Sequence, residues 1–391
     1  MKNFKEIDDQ YVAHSYARFP VLIQSGKGVY VYDDEGKKYI DFTSGIGVNS
    51  LGYQYEAWVQ AVREQAGTIA HTSNLFYNEP MLELAEKLVT RTGMKKVFFG
   101  NSGAEANEAI IKAARKYAND HYHGRRTEIC TLNNSFHGRT METLSATGQE
   151  VFHQDFFPMP TGFQYADPNL EDVKAKTNEH TAAILLEMIQ GEGGVVPLDP
   201  KFVQDVADLC KENDWLLMVD EVQTGIGRCG TFFAYEQFGI QPDLVSSAKG
   251  LGGGLPIGAA LIGEKCEDVF QPGDHGSTFG GNPIVCAGAN VVIDTLTPAF
   301  LDEVKEKGDY LKSELSKLPH VVQVDGLGMM LGVQFDEMKG IDVVNACLKK
   351  GALFLTAKDR LRLLPPLVMT KAEIDEGLNI LKDVLSHWEE A

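Results

Sequence analysis

Between residues 96 and 262 the chain returns again and again to short apolar segments that do not alternate with polar residues. Six segments read as strands: Lys96–Phe99, Glu128–Leu132, Ala182–Met188, Trp215–Val219, Leu244–Ser247 and Ala259–Ile262, several of them apolar throughout. A strand with one face in water alternates in polarity, whereas a strand covered on both faces does not. Amphipathic stretches lie between these segments, as at Asp199-Pro200, where Asp stands at an N-cap and Pro at the first helical position. The pattern predicts an α/β fold around a mostly parallel sheet with helices on its two sides.

Outside that region the pattern changes. Val29–Tyr32 and Lys38–Phe42 flank Asp33-Asp34-Glu35-Gly36 and read as a β-hairpin. From about residue 300 a helix carrying Leu301, Val304, Leu311 and Leu315 precedes strand-like Val321–Val324 and Met329–Phe335. The last segment opens on the capping box Thr370-Lys-Ala-Glu373 and repeats apolar residues at Ile374, Leu378, Leu381, Leu385 and Trp388. The expected division is a large domain over 51–290 and a smaller α+β domain over 291–391, joined by an N-terminal segment over 1–50. A chain of 391 residues is long enough for two or three domains of roughly 100–200 residues each.

Charge narrows the partners. A formal net charge of −19 and a pI near 5.0 argue against nucleic acid or an anionic membrane surface, both of which need a basic footprint. A few local arginines still suffice for a small anion. Cysteines at 130, 210, 229, 266, 286 and 347 form no C-x-x-C pair, so reduced thiols and a cytoplasmic location are expected. The polar start MKNFKEIDDQ shows no secretory signal, and the longest nearly apolar stretch, Gly252–Gly263, is too short and glycine-rich to span a membrane.

Four segments carry chemistry. Gly100-Asn-Ser-Gly-Ala-Glu-Ala-Asn107 follows one strand and starts a helix, with Ser102 and Glu105 as its capping box. Bare N–H groups at Ser102, Gly103 and Ala104 would suit a phosphate, though a capping box also serves simply to start a helix. Trp215-Leu-Leu-Met-Val-Asp220-Glu221 ends an apolar strand on two acids, and the carboxyl edge of a parallel sheet is where ligands bind. Asp220 could there face a metal, a ribose or a protonated ring nitrogen, or merely cap a helix. Asp243-Leu-Val-Ser-Ser-Ala-Lys249-Gly-Leu-Gly-Gly-Gly254 runs a buried strand into a lysine and then glycines. Desolvation there would favour the neutral, nucleophilic amine; a lysine snorkelling to water is the ordinary alternative. Ser135-Phe136-His137-Gly138-Arg139 offers a stackable ring and a carboxylate-binding fork within one turn.

Two other motifs lead elsewhere. Gly225-Ile-Gly227-Arg-Cys-Gly230 matches the dinucleotide-binding G-x-G-x-x-G, but Asp220–Thr224 separate it from the strand and Thr231-Phe-Phe is no helix start. A nucleotide-binding oxidoreductase is the weak alternative built on it. His121-Tyr-His123 lacks a Cys or acidic partner at ligand spacing, so no metal is expected.

A strand-end acid, a later strand-end lysine, a phosphate cup and a stackable aromatic are the parts that pyridoxal 5'-phosphate requires. In this order they resemble the class III aminotransferases of PLP fold-type I. The likeness runs through Val29–Gly52, the cup, Ser135–Thr140, Glu187–Gly194, Asp220–Gly227, Ala248–Gly254, Gly276-Ser-Thr-Phe-Gly-Gly-Asn-Pro283 and Arg362-Leu-Leu-Pro-Pro366. Within the family the chain is most similar to acetylornithine aminotransferases of arginine biosynthesis, through Ser15–Val21, Tyr39–Asn49 and Ser135–Thr140. Ile46 stands where ornithine-specific relatives usually carry an aromatic, and Leu51-Gly-Tyr-Gln-Tyr-Glu56 departs from a common Leu-Gly-His-x-His-Pro.

The resemblance implies particular roles. Lys249 would carry the cofactor as a Schiff base and act as general base, and Asp220 would keep the ring nitrogen protonated. Gln223 would bond the ring hydroxyl, Phe136 would stack on the ring, and Ser102, Gly103 and Ala104 would hold the phosphate. Thr278 would reach the same phosphate from a partner subunit, which makes a homodimer the active form. Arg139 and Arg362 would take substrate carboxylates with Ser277 nearby, and Glu192 would pair with Arg362 when a substrate has no carboxylate there. The implied substrates are an amino donor, N-acetylornithine, and 2-oxoglutarate; succinylornithine, succinyl-diaminopimelate, ornithine or GABA donors are the alternatives.

Overall fold

In the computed structural model, which describes residues 3–388, the apolar segments form one seven-stranded sheet. Its order is Lys96–Gly100, Gly258–Ile262, Leu244–Ser247, Leu216–Asp220, Thr181–Leu186, Glu128–Leu132, Phe163–Ala166. Every residue of Thr181–Leu186, Leu216–Asp220, Leu244–Ser247 and Gly258–Ile262 is buried, the consequence of helices on both faces. Six strands run in one direction. Gly258–Ile262 runs against both of its neighbours, because only ten residues separate it from Ser247, fewer than a parallel crossover usually needs. The edge strand Phe163–Ala166, which pairs in parallel with Glu128–Leu132, was not anticipated; its four residues carry too little pattern to stand out.

Local signals place the helices. Asp199 accepts from the Phe202 N–H at 2.9 Å and starts helix Pro200–Asn213. Ser102 does the same for Glu105 at 3.2 Å and starts Gly103–Tyr122. The capping box of Thr370 and Glu373 opens Lys371–Ser386, which ends before Trp388.

The chain from Pro298 onward builds a second layer: a helix over Pro298–Leu315 and a sheet in the order Val321–Leu327, Met330–Phe335, Arg360–Leu363, Leu355–Ala357. The expected hairpin forms between Tyr30–Asp33 and Lys38–Asp41. Ile23–Lys27 extends it on one side and Ala352–Leu353 on the other, so the N-terminal segment and the C-terminal third share a sheet. All six cysteines are buried and unpaired. No single helix among the described residues is long and apolar enough to cross a membrane.

Candidate active site

The carboxyl ends of neighbouring parallel strands converge on one cavity. Asp220 closes Leu216–Asp220 and pairs in register with Ser246, three residues ahead of Lys249. Ser102, Gly103 and Ala104 lie at the start of helix Gly103–Tyr122, just beyond strand Lys96–Gly100. Phe136 and Arg139 follow Glu128–Leu132. These residues line a cavity of about 490 Å³ together with Glu187 and Gln223.

Three polar partners hold the Asp220 carboxyl in place. Its Oδ2 accepts from Asn107 Nδ2 at 2.7 Å and lies 2.8 Å from His137 Nδ1; its Oδ1 accepts from the Val222 N–H at 2.9 Å. Asn107 Nδ2 also donates to the His137 carbonyl at 2.7 Å, fixing the imidazole relative to the acid. Asn107 and His137 lie in segments that the sequence marks, but neither was assigned a role there. A readable signal for Asn107 existed: it is a polar residue inside the apolar face formed by Ala106, Ala109 and Ile110. Lys249 is part-buried, and desolvation of its amine brings it down to about 8 against the opposing pull of Glu192. Lys249 sits at φ +46°, a left-handed conformation that a non-glycine residue adopts at a cost, as functional residues often do. Glu187, also unassigned from sequence, accepts from the Phe136 N–H at 3.0 Å. Burial and the neighbouring Asp220 push its carboxyl well above the usual range.

Beside the cavity, on the far side of its lining residue Gln223, Arg362 Nη1 donates to Glu192 Oε1 at 2.5 Å. Gln223 bridges the pair, donating to Glu192 and accepting from Arg362, both at 3.3 Å. Burial alone would raise the Glu192 carboxyl, but the Arg362 guanidinium outweighs it and holds the group below its ordinary value. Arg139 lies over two rings, 4.0 Å from the centroid of Phe152 and 5.4 Å from that of Phe136, a stacking that leaves its fork free. Ser277 and Thr278 lie outside this cavity. Ser277 Oγ accepts from Asn101 Nδ2 at 3.1 Å, and Thr278 is exposed.

The weaker motifs behave differently. Gly225–Gly230 forms a loop with Gly227 and Gly230 at positive φ, followed by the buried rings of Phe232 and Phe233 instead of a helix. His121 and His123 end helix Gly103–Tyr122, and no group of three metal-binding side chains assembles among the described residues.

The family profile for class-III aminotransferases matches residues 11–385. The chain is a class-III aminotransferase. It is 53% identical over 385 residues to the acetylornithine aminotransferase of Haemophilus ducreyi, covering 98% of each chain. It is 45% identical over 380 residues to a succinylornithine transaminase/acetylornithine aminotransferase of Pseudomonas aeruginosa, covering 95% of this chain and 94% of that one. Among solved structures, the N-acetylornithine aminotransferase of Stenotrophomonas maltophilia superimposes with a TM-score of 0.85 at 34% identity, covering 98% and 99% of the two chains. The ornithine aminotransferase of Toxoplasma gondii does so with a TM-score of 0.93 at 31% identity, covering 99% and 95%.

Enzymes of this class use pyridoxal 5'-phosphate, and the cavity fits it. Gly103 packs so closely on Val222 that a Cβ would come within 2.6 Å of Cγ1. That contact keeps the first turn of the helix bare, with N–H groups that have no intrahelical acceptor and can face a phosphate. A desolvated amine and a triply anchored carboxylate stand on adjacent strands of the same cavity.

Proposed function

We propose that this aminotransferase moves the δ-amino group of N-acetylornithine to 2-oxoglutarate, giving N-acetylglutamate semialdehyde and glutamate in arginine biosynthesis. The observation that carries the reading is the Glu192–Arg362 pair, with an arginine only 4% exposed. While Glu192 holds Arg362, that side of the site is neutral and admits the methylene of a δ-amine. When 2-oxoglutarate enters, its carboxylate replaces Glu192 on the same guanidinium, and Arg139 takes the carboxylate at the far end. The acetylornithine specificity is supported by the relatives named above.

Bound pyridoxal phosphate supplies an electron sink for the carbon that bears the amine. Ser102, Gly103 and Ala104 would hold its phosphate, joined by Thr278 of the partner subunit in a homodimer. Phe136 would cover the ring, Asp220 would accept from its nitrogen, and Gln223 would meet its hydroxyl. Lys249 would hold the cofactor until the donor's amine displaces it, and its freed neutral amine would then take the proton from the amine-bearing carbon of the donor and return it. Ser277, whose hydroxyl bonds Asn101 outside the cavity of the single chain, would approach the substrate. Asn107 and His137 keep the Asp220 carboxylate in place. Six unpaired thiols fit a reducing compartment, and we place the enzyme in the cytoplasm.

The test is a spectral titration of the purified protein with a donor panel. N-acetylornithine should bleach the yellow colour fastest, and 2-oxoglutarate should restore it. Faster bleaching by ornithine or GABA would overturn the substrate while leaving the class intact. N-succinylornithine is the second reading, favoured by the double name of the Pseudomonas relative. Lys249→Ala should abolish turnover and colour. For the shared site, mixing inactive Lys249→Ala with Thr278→Ala subunits should change activity; independence from mixing would argue against a site completed across subunits.

A further inference from the structure

Arg228 is among the largest fully buried side chains, yet no carboxylate pairs with it among the described residues. Its Nη1 donates to the carbonyls of Met329 at 3.0 Å and Pro365 at 2.5 Å, its Nη2 reaches Ser44 Oγ at 3.4 Å, and its Nε has no partner. Burial draws the guanidinium down to about 10, opposed by Cys229 and then by Asp41. A buried cation without a counter-ion costs several kcal/mol, and an apolar side chain of similar volume would avoid that cost. Simple core filling therefore does not explain an arginine here.

Its acceptors give the explanation. Ser44 begins a turn in which four successive residues are left-handed: Ser44 at φ +41°, Gly45 at +64°, Ile46 at +67° and Gly47 at +76°. Two are not glycine, and one is β-branched, so the turn persists only where its surroundings over-determine it. Those surroundings are the loop that follows Arg362. Ser44 Oγ donates to the Leu364 carbonyl at 2.6 Å, the Leu364 N–H donates to the Phe42 carbonyl at 2.8 Å, and the Leu367 N–H to the Ser50 carbonyl at 2.7 Å. Arg228 contacts both strips at once, through Ser44 and through Pro365. The far end of the turn reaches the site: Val48 lines the cavity, and a Cβ on Gly250, next to Lys249, would lie 2.7 Å from Ser50 Oγ.

We propose that Arg228 is a positioning residue for the substrate-carboxylate end of the site. Its planar fork ties the strained turn Ser44–Gly47 to the 362–366 loop and so fixes where Arg362 stands opposite Glu192. A lysine at 228 keeps the charge but offers a point donor in place of the fork. The inference rests on the proposed role of Arg362 as the binder of the 2-oxoglutarate carboxylate.

The experiment measures steady-state kinetics of holoenzyme Arg228→Lys, Arg228→Met and Ser44→Ala, with Arg362→Lys as the reference. Expected is a rise in KM for 2-oxoglutarate of about tenfold in Arg228→Lys, larger in Arg228→Met, the equivalent of about 1.4 kcal/mol per decade. KM for N-acetylornithine and the colour of the bound cofactor should change little, and kcat should stay within about twofold. Ser44→Ala removes one acceptor and the bond to Leu364, and should shift the same KM in the same direction; it decides the matter if Arg228→Met does not fold. An unchanged 2-oxoglutarate KM in folded Arg228→Lys and Ser44→Ala overturns the proposal. So does a fall in kcat that merely tracks the fraction of folded protein. If Arg362→Lys itself leaves that KM unchanged, the reading of Arg362 fails first, and the two failures are told apart.

Discussion

Lys249 sets a measurable pH dependence on cofactor capture. Burial lowers its amine from 10.5 to about 8, with Glu192 pulling the other way and Arg362 adding to the fall. A fall of roughly 2.5 units corresponds to about 3.4 kcal/mol against the ammonium form. At about pH 7.5 it raises the neutral, nucleophilic fraction from about one in a thousand to about one in four. The amine is neutral above its own pKa, so capture accelerates as pH rises, is half-maximal near 8 and levels off about one pH unit higher. The assay mixes cofactor-free protein with pyridoxal phosphate and follows the growth of the yellow colour across pH, with an acylating reagent as an independent probe of the free amine. Glu192→Gln removes the strongest charge that favours the ammonium and leaves Arg362 unneutralised, so the midpoint should move below its wild-type value. Capture that keeps climbing to pH of about 10, as for a solvated lysine, would refute the desolvation argument. A midpoint that rises in Glu192→Gln would refute the electrostatic part.

Three further outcomes follow from packing and hydrogen bonding. Gly103→Ala would set a methyl 2.6 Å from Val222 Cγ1 and displace the first turn of its helix, weakening cofactor retention by about tenfold or more, as read by dialysis. Adding Val222→Ala should restore it. Asn107→Ala deprives Asp220 of one of its three polar partners and should lower kcat by about 10- to 100-fold, on the scale of a hydrogen bond to a charged group, with folding checked by urea denaturation. Gly377→Ala reverses the ordinary helix rule. Alanine normally gains about 1 kcal/mol over a helical glycine, but here the methyl would lie 2.0 Å from the Phe42 ring, so a net loss of about 1–3 kcal/mol is expected in the urea midpoint.

Much of this molecule is legible along the chain because the signals are local. The apolar runs marked six strands of the main sheet, and Asp199, Ser102 and Thr370 marked helix starts that the structure keeps. Strand-end placement was enough to bring Asp220, Lys249 and the Ser102–Ala104 turn to one edge, because parallel strands deliver their carboxyl ends to the same side. What stayed hidden was whatever depends on partners far apart in sequence. Asn107 and His137 find Asp220 across 113 and 83 residues, whereas the pairing of Arg362 with Glu192 across 170 was expected, but only from the family resemblance. No periodicity encodes such pairings; they arise when buried polar groups must be satisfied in three dimensions. The direction of Gly258–Ile262, the edge strand Phe163–Ala166 and the strand that Ala352–Leu353 lends to the N-terminal sheet were likewise settled by neighbours. The left-handed turn at Ser44–Gly47 is the sharpest case. Its own residues disfavour that conformation, and only the 362–366 loop and the buried Arg228 packed against it hold the backbone there.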